Sequence, residues 1–235
     1  MTKKSLCASP KRALWKAALA AAQILAAALP AVLGAQAATG LLPPPGSYKL
    51  NHIERVPQAI VLEATRFPRL LSHYTQGSVT LLGFFYSYCA DPNGCPLAWD
   101  AFEKVREEIL ARPQLYGHVR LVFMSLDPKH DTPDVLSGFA RRYEANAQEV
   151  PWHFLTTYSY LFLKPLLRDM GEEILVSRET QGDQAVVNHL LKVFLIDKEG
   201  WVREIYSNQS IDPATILGDI ETLELEQAKA DGQTN

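Results

Sequence analysis

Cysteine is scarce in this chain: three in 235 residues, at positions 7, 89 and 95. Also missing are a phosphate-cradling P-loop, a dinucleotide-binding glycine fingerprint and a serine nucleophile elbow, which removes the common nucleotide-dependent and serine-hydrolase chemistries. No internal repeat recurs, which removes solenoids and propellers. Positive charge is short as well. Beyond residue 37 the chain keeps 18 Lys+Arg against 26 Asp+Glu, a formal net charge of −8 that repels nucleic acid and anionic lipid. What is present is 47% hydrophobic residues, enough for one well-packed domain.

The first 37 residues stand apart. Lys3, Lys4, Lys11, Arg12 and Lys16 precede an Ala/Leu-rich stretch from Ala17 to Leu33, followed by Ala35-Gln36-Ala37, the small-x-small form of a signal-peptidase site. This reads as an export signal cut near Ala37. The alternative is an uncleaved anchor in the inner membrane, since the apolar stretch is just short of the roughly 18 to 20 residues that span a bilayer and carries Gln23 and Pro30. Either way the destination is the periplasm. Cys7 lies before the apolar region, badly placed for lipid attachment, and leaves with the signal. Residues 38–47, containing "TGLLPPPGS", form a linker, residues 48–227 the folded domain and residues 228–235 a disordered tail.

Within the domain, Tyr48 to Gly77 has no clean period, with only Ala59–Leu62 and Phe67–Leu71 hinting at short elements. Val79–Tyr86, "VTLLGFFY", is an unbroken apolar run suited to a strand covered on both faces. From Pro96, the residues Leu97, Ala101, Phe102, Val105 and Ile109 recur at helical spacing until Pro113 stops them. Val119–Leu126 predicts a second buried strand, and Thr132-Pro133 starts a helix with Val135, Leu136, Phe139, Ala140 and Tyr143 as its apolar stripe. A short strand near Trp152–Thr156 and a helix near Tyr160–Met170 follow. The runs "LLKVFLI" and "WVREIY" flank "DKEG" as a hairpin, and a helix from Asp212 to Glu226 closes the domain. A βαβ unit, then a hairpin and a terminal helix, predicts an α/β thioredoxin-like fold with a central mixed sheet flanked by helices.

The two cysteines of the domain sit in "SYCADPNGCPL", between the first strand of the unit and its helix. The pair suits a staple, a redox switch or two thirds of a metal site. Cys95 precedes Pro96 at a helix start, where unpaired N–H groups and the dipole favour a thiolate, so a depressed pKa is expected there. Two thiolates are a soft donor set for Cu(I) or zinc, made more specific by one imidazole. Of six histidines, His52, His73, His118, His130 and His153 read as surface or packed residues. His189 ends the loop "QGDQAVVNH" and opens a strand, which in a thioredoxin-like layout abuts the cysteine loop. Asp127 and Asp131 read as turn and helix-start residues, and Trp99, Trp152 and Trp201 as packing residues.

The runs "FFYSYC", "CP", "SLDPKHDTPDVL" and "VNHLLKVFLIDKEG" together resemble the SCO/SenC family of copper-handling thioredoxin-like proteins, from about Gly46 to Leu225. The stretches Asp127–Pro133 and His189–Gly200 are the most specific. The resemblance implies a copper site, Cu(I) or Cu(II), with Cys89, Cys95 and His189 as ligands. The site would serve to deliver copper to cytochrome c oxidase or to reduce cysteines of its copper-binding subunit. The implied partner is a copper-receiving client such as an oxidase subunit, and the N-terminal segment implies a membrane tether. The chain departs from the family pattern in having five rather than three residues between the thiols, and Asn188 rather than Asp before the histidine. A thiol-disulfide oxidoreductase using Cys89 and Cys95 as its redox pair is the alternative reading, which leaves open whether the protein is an enzyme.

Overall fold

Every side chain from Val79 to Phe85 is buried, and this strand, β4, forms the middle of the domain. A computed structural model describes residues 42–64, 67–172, 174–181 and 184–232, the side chains of 174–181 and 184–188 excepted. The chain divides into two units, residues 1–41 and 42–235, and all described residues belong to the second. The expected export signal, Cys7 and the start of the linker lie outside the described residues. Among the described residues no helix is long and apolar enough to cross a membrane.

The strands in chain order are β1 (Glu54–Arg55), β2 (Ile60–Val61), β3 (Arg69–Leu70), β4 (Val79–Phe85), β5 (Val119–Ser125), β6 (Trp152–Leu155), β7 (Ile174–Gln181), β8 (Gln184–His189), β9 (Lys192–Ile196) and β10 (Trp201–Ser207). The helices are α1 (Ser72–Thr75), α2 (Cys95–Leu110), α3 (Pro133–Ala140), α4 (Tyr160–Asp169) and α5 (Pro213–Gly232). Six strands make one mixed sheet in the order β1-β10-β9-β4-β5-β6. β4, β5 and β6 run parallel, while β9 pairs antiparallel with both β4 and β10. This is the expected βαβ unit followed by a hairpin. Gly200, at φ +85°, closes the β9–β10 turn in a conformation that favours glycine.

The region from 48 to 77, which shows no period in the sequence, holds β1 at the sheet edge, the small β2–β3 pair and α1. The end of the linker is tied down by its partners on α5: the Gly46 N–H donates to Thr222 Oγ1 at 3.0 Å and the Tyr48 hydroxyl to Asp219 Oδ1 at 2.6 Å. At the other terminus α5 continues to Gly232, past residue 227 where the sequence ends the domain. α3 buries Leu136 of its expected stripe but leaves Val135 exposed. Thr132 does cap it, accepting from the Val135 N–H at 3.5 Å.

A cluster of rings fixes α2 against the sheet. Trp99, one turn into the helix, packs within 5.0 to 6.0 Å of Phe85, Phe123, Phe139, Trp152 and Phe154. Its indole N–H donates to the Tyr143 hydroxyl at 2.8 Å, and that hydroxyl donates to Glu103 at 2.6 Å. Each ring of this size removed from water contributes roughly 1.5 to 3 kcal/mol, so the start of α2 is among the firmly held parts of the domain.

Candidate functional site

β4 ends at Phe85, and the chain turns at once. The Ser87 N–H donates to Asp131 Oδ2 at 3.1 Å and the Cys89 N–H to the Tyr86 carbonyl at 3.1 Å. Asp131 is fully buried and also accepts from Ser125 Oγ at 2.6 Å, so it joins the ends of β4 and β5. Burial pushes its carboxyl above the usual range. The Tyr88 hydroxyl donates to Asp127, which also meets His130 Nδ1 at 2.5 Å. Both aspartates therefore hold the entry to the cysteine loop.

The five residues between the thiols fold back locally. The Asn93 N–H donates to Asp91 Oδ1 at 3.0 Å and the Gly94 N–H to the Asp91 carbonyl at 3.0 Å, a turn that absorbs the extra length. Gly94 is the N-cap, and Cys95 is the first helical residue, with Pro96 behind it. Both cysteines are free thiols; Cys95 is buried and Cys89 half-buried.

Their ionisation reverses the expectation. The hydrogen bond from the Cys95 thiol is the largest cause that lowers Cys89, which drops to about 5, helped by the Tyr86 hydroxyl and by backbone N–H groups of Cys95 and Asp91. Cys95 is pushed up, first by holding that bond and then by its own burial. The helix N-terminus does favour a thiolate, and the Cys95 N–H lowers both sulfurs, but the proton that stays is held on Cys95. Two neighbouring thiols share the first proton to leave and resist losing the second.

His189 stands at the end of β8, opposite Ile174 of β7. Residues 184–189, read from the sequence as part of a loop, are thus the second strand of a hairpin. Asn188 pairs with Leu175 in it; its side chain lies outside the described residues. His189 Nδ1 faces the Leu190 carbonyl at 3.2 Å, and because a carbonyl only accepts, Nδ1 carries the proton. Nε2 then presents its lone pair, 3.9 Å from Cys95 Sγ. Burial lowers the imidazole pKa, which keeps it neutral.

Cys95 Sγ therefore lies between two acceptors, the Cys89 sulfur and His189 Nε2. Two soft sulfurs and one oriented imidazole suit a thiophilic ion, and 3.9 Å is a span bridged by metal–ligand bonds of about 2.0 to 2.3 Å. Among the described residues no three His, Cys, Asp or Glu side chains converge closely enough to hold a metal as they stand. The half-buried Cys89 would have to close in. Tyr86 flanks the site, its ring 6.5 Å from that of His189. The sequence reading took Tyr86 as the last residue of a strand and Asp131 as a helix-start residue; that Tyr86 flanks His189 and that Asp131 ties two strand ends was not read. Of the other histidines, His130 stays on Asp127 at the entry to the loop, while His153 lies on Glu63 at 2.7 Å and His118 on Glu224 at 2.9 Å.

No curated protein matches the chain. Among solved structures, Arabidopsis thaliana ScoI with copper bound is similar at 18% identity and a TM-score of 0.60, covering 73% of this chain and 98% of that one. A SCO1/SenC family lipoprotein from Bacillus anthracis is similar at 21% identity and a TM-score of 0.58, covering 73% and 95%. BsSco, described with a disulfide switch and as a member of the Sco family of cytochrome c oxidase assembly proteins, shares 20% identity at a TM-score of 0.56, covering 75% and 98%. These likenesses establish the thioredoxin-like fold. The SCO1/SenC family model matches residues 69–224, which span the cysteine loop, both aspartates and His189, and the chain belongs to that family.

Proposed function

We propose that the protein is an exported copper-binding accessory protein that delivers copper to, or matures the copper site of, a respiratory oxidase, with Cys89, Cys95 and His189 as the ligands. The observation that carries this reading is His189 Nε2 held 3.9 Å from Cys95 Sγ while Nδ1 is engaged by the Leu190 carbonyl. Copper, when bound, supplies the positive charge that makes a second thiolate favourable. The chain's own groups do the rest. The lowered Cys89 is already a thiolate at neutral pH, the neutral imidazole needs no deprotonation, and only the Cys95 proton has to leave. The sulfur of Cys89, half-buried at the mouth of the loop, is the one a client's thiolates would reach first. A periplasmic location with the N-terminal segment as tether fits the leader.

The test is copper stoichiometry and absorption on the reduced chain beside Cys89→Ser, Cys95→Ser and His189→Ala. One ion per chain is expected, with affinity falling at least about tenfold in each variant. An unchanged affinity in His189→Ala overturns the three-ligand site.

A second reading has its own support in the split between the sulfurs. A half-buried Cys89 thiolate beside a buried, protonated Cys95 is the layout of an attacking and a resolving thiol. Cys89 would attack a client disulfide and release one client thiolate. Cys95, after losing its proton, would then displace the mixed disulfide, reducing the client by two electrons and leaving Cys89–Cys95 oxidised until a periplasmic thiol reductant restores it. A Cys89–Cys95 disulfide that no such reductant opens would exclude this activity.

A further inference from the structure

The residue after His189 is Leu190, and its side chain is 77% exposed. Across from it, at the start of α4, Leu161 is 78% exposed and Tyr160 is 46% exposed. Tyr160, Lys164, Arg168, Leu190 and Lys192 line one shallow hollow of about 350 Å³. Leu161, Lys164 and Arg168 follow the i, i+3, i+7 spacing of one helix face, so Leu161 continues the rim of that hollow. Exposed apolar side chains and three cations on this hollow make a mixed surface that adjoins His189 through Leu190.

We propose that this face is the docking surface for the copper-receiving protein, whose own contact surface is an apolar centre ringed by acidic side chains. The inference rests on the copper-delivery reading and adds the place and chemistry of the encounter. Charge complementarity chooses the occupant. The chain beyond residue 37 carries a net charge of −8, yet Lys164, Arg168 and Lys192 gather here. Two carboxylates also lie in this region. Asp169 pairs with Arg168 at 2.7 Å on the exposed surface, an ion pair that solvent screens, and Glu172, which lines the hollow beside Lys192, is only 4% exposed. Lys192 Nζ donates to the Gly171 carbonyl at 2.5 Å and keeps its charge at the rim. A second copy of this chain, strongly acidic overall, would bring like charge to most of the surroundings; a partner with acids only around an apolar centre meets the cations. The location fits transfer, because a protein seated on Leu190 stands one residue from His189.

The experiment uses the reduced full chain and, as probe, the purified metal-free copper-binding domain of the oxidase subunit from the same organism. Association and copper transfer are measured for the parent, Leu161→Ser, the double reversal Lys164→Glu/Arg168→Glu, and Lys229→Glu on the exposed end of α5 as control. Leu161→Ser and the double reversal are each expected to weaken association about tenfold and slow transfer in proportion, the reversal also removing its salt dependence. Copper affinity of the isolated variants stays within about twofold of the parent, and the control changes nothing. Parent-like association in both variants overturns the proposal. So does a parent that does not associate with the domain, and so does a self-association of this chain that Leu161→Ser abolishes. Failure of the parent to take up copper at all, whatever its association, would instead overturn the copper-delivery reading.

Discussion

Replacing Cys95 by alanine removes the hydrogen bond that most lowers its neighbour, and the effect on Cys89 can be worked out in advance. Cys89 lies at about 5 against an ordinary 9.0, and the bond from the Cys95 thiol is its first cause. A hydrogen bond to a charged group contributes roughly 1.5 to 3 kcal/mol. One pKa unit corresponds to about 1.4 kcal/mol, and Cys89 is only partly buried, so that solvent screens part of the charge and the loss amounts to about one unit. The Tyr86 hydroxyl and the backbone N–H groups of Cys95 and Asp91 remain, which is why the thiol does not return to its unperturbed value. The assay is the rate of iodoacetamide alkylation against pH, or thiolate absorption near 240 nm. The reduced parent should show one inflection near 5 and Cys95→Ala one near 6. A parent inflection near 8 to 9, or an unchanged one in the variant, would refute the sharing of one proton between these sulfurs. The sign for stability follows: the folded pKa is depressed, so the contribution is complete above about 9 and is lost as pH falls toward 5.

Three further outcomes are expected. Glu172 is buried with both carboxylate oxygens unpartnered and its pKa raised from 4.5 to about 7, a group whose cost appears as pH rises through that window. Glu172→Gln should match the parent near pH 4 and exceed it by roughly 2 to 3 kcal/mol above pH 7, read from denaturant midpoints; equal midpoints at both pH values would contradict this. A methyl group at Gly83 would meet Phe123 Cε1 at 2.9 Å and Phe102 Cζ at 3.3 Å, so Gly83→Ala should cost about 1 to 3 kcal/mol in thermal unfolding. Asp131→Ala leaves the Ser87 N–H and the Ser125 hydroxyl without their acceptor, and a loss of about 2 to 4 kcal/mol is expected, measured by urea titration.

Much of the frame was legible because burial on both faces leaves little choice. The apolar runs at 79–86 and 119–126 became the parallel pair β4 and β5, and Thr132-Pro133 became a capped helix start. The β9–β10 hairpin followed from "DKEG" with Gly200 at its end. The hairpin carrying His189 was not read, because the segment is polar and its alternation is weak. A two-residue Gly-Asp step between β-forming runs was the signal on offer. Within the site, the nearness of His189 to the cysteine loop was legible, and the structure puts it 3.9 Å from Cys95. The order of ionisation was not. A helix N-terminus favours a thiolate on either sulfur near it, and sequence spacing alone does not say that Cys95 is buried while Cys89 is half-buried and accepts the Cys95 hydrogen bond. Asp131 likewise reads as a helix-start residue, and only its full burial discloses that it joins two strand ends.

Cys95 and His189 are separated by 94 positions along the chain. A chain elongated only as far as β6 holds the parallel βαβ core, the ring cluster around Trp99 and both thiols, but not the imidazole of His189. Local contacts form early and distant ones late, so the thiols exist as a bare pair for an interval of folding. In an oxidising compartment that interval is when they are most exposed to closing on each other. Docking of β9 against β4 is then also what brings His189 to Cys95. Order of assembly, and not only final geometry, then bears on whether the two thiols meet each other before they meet His189.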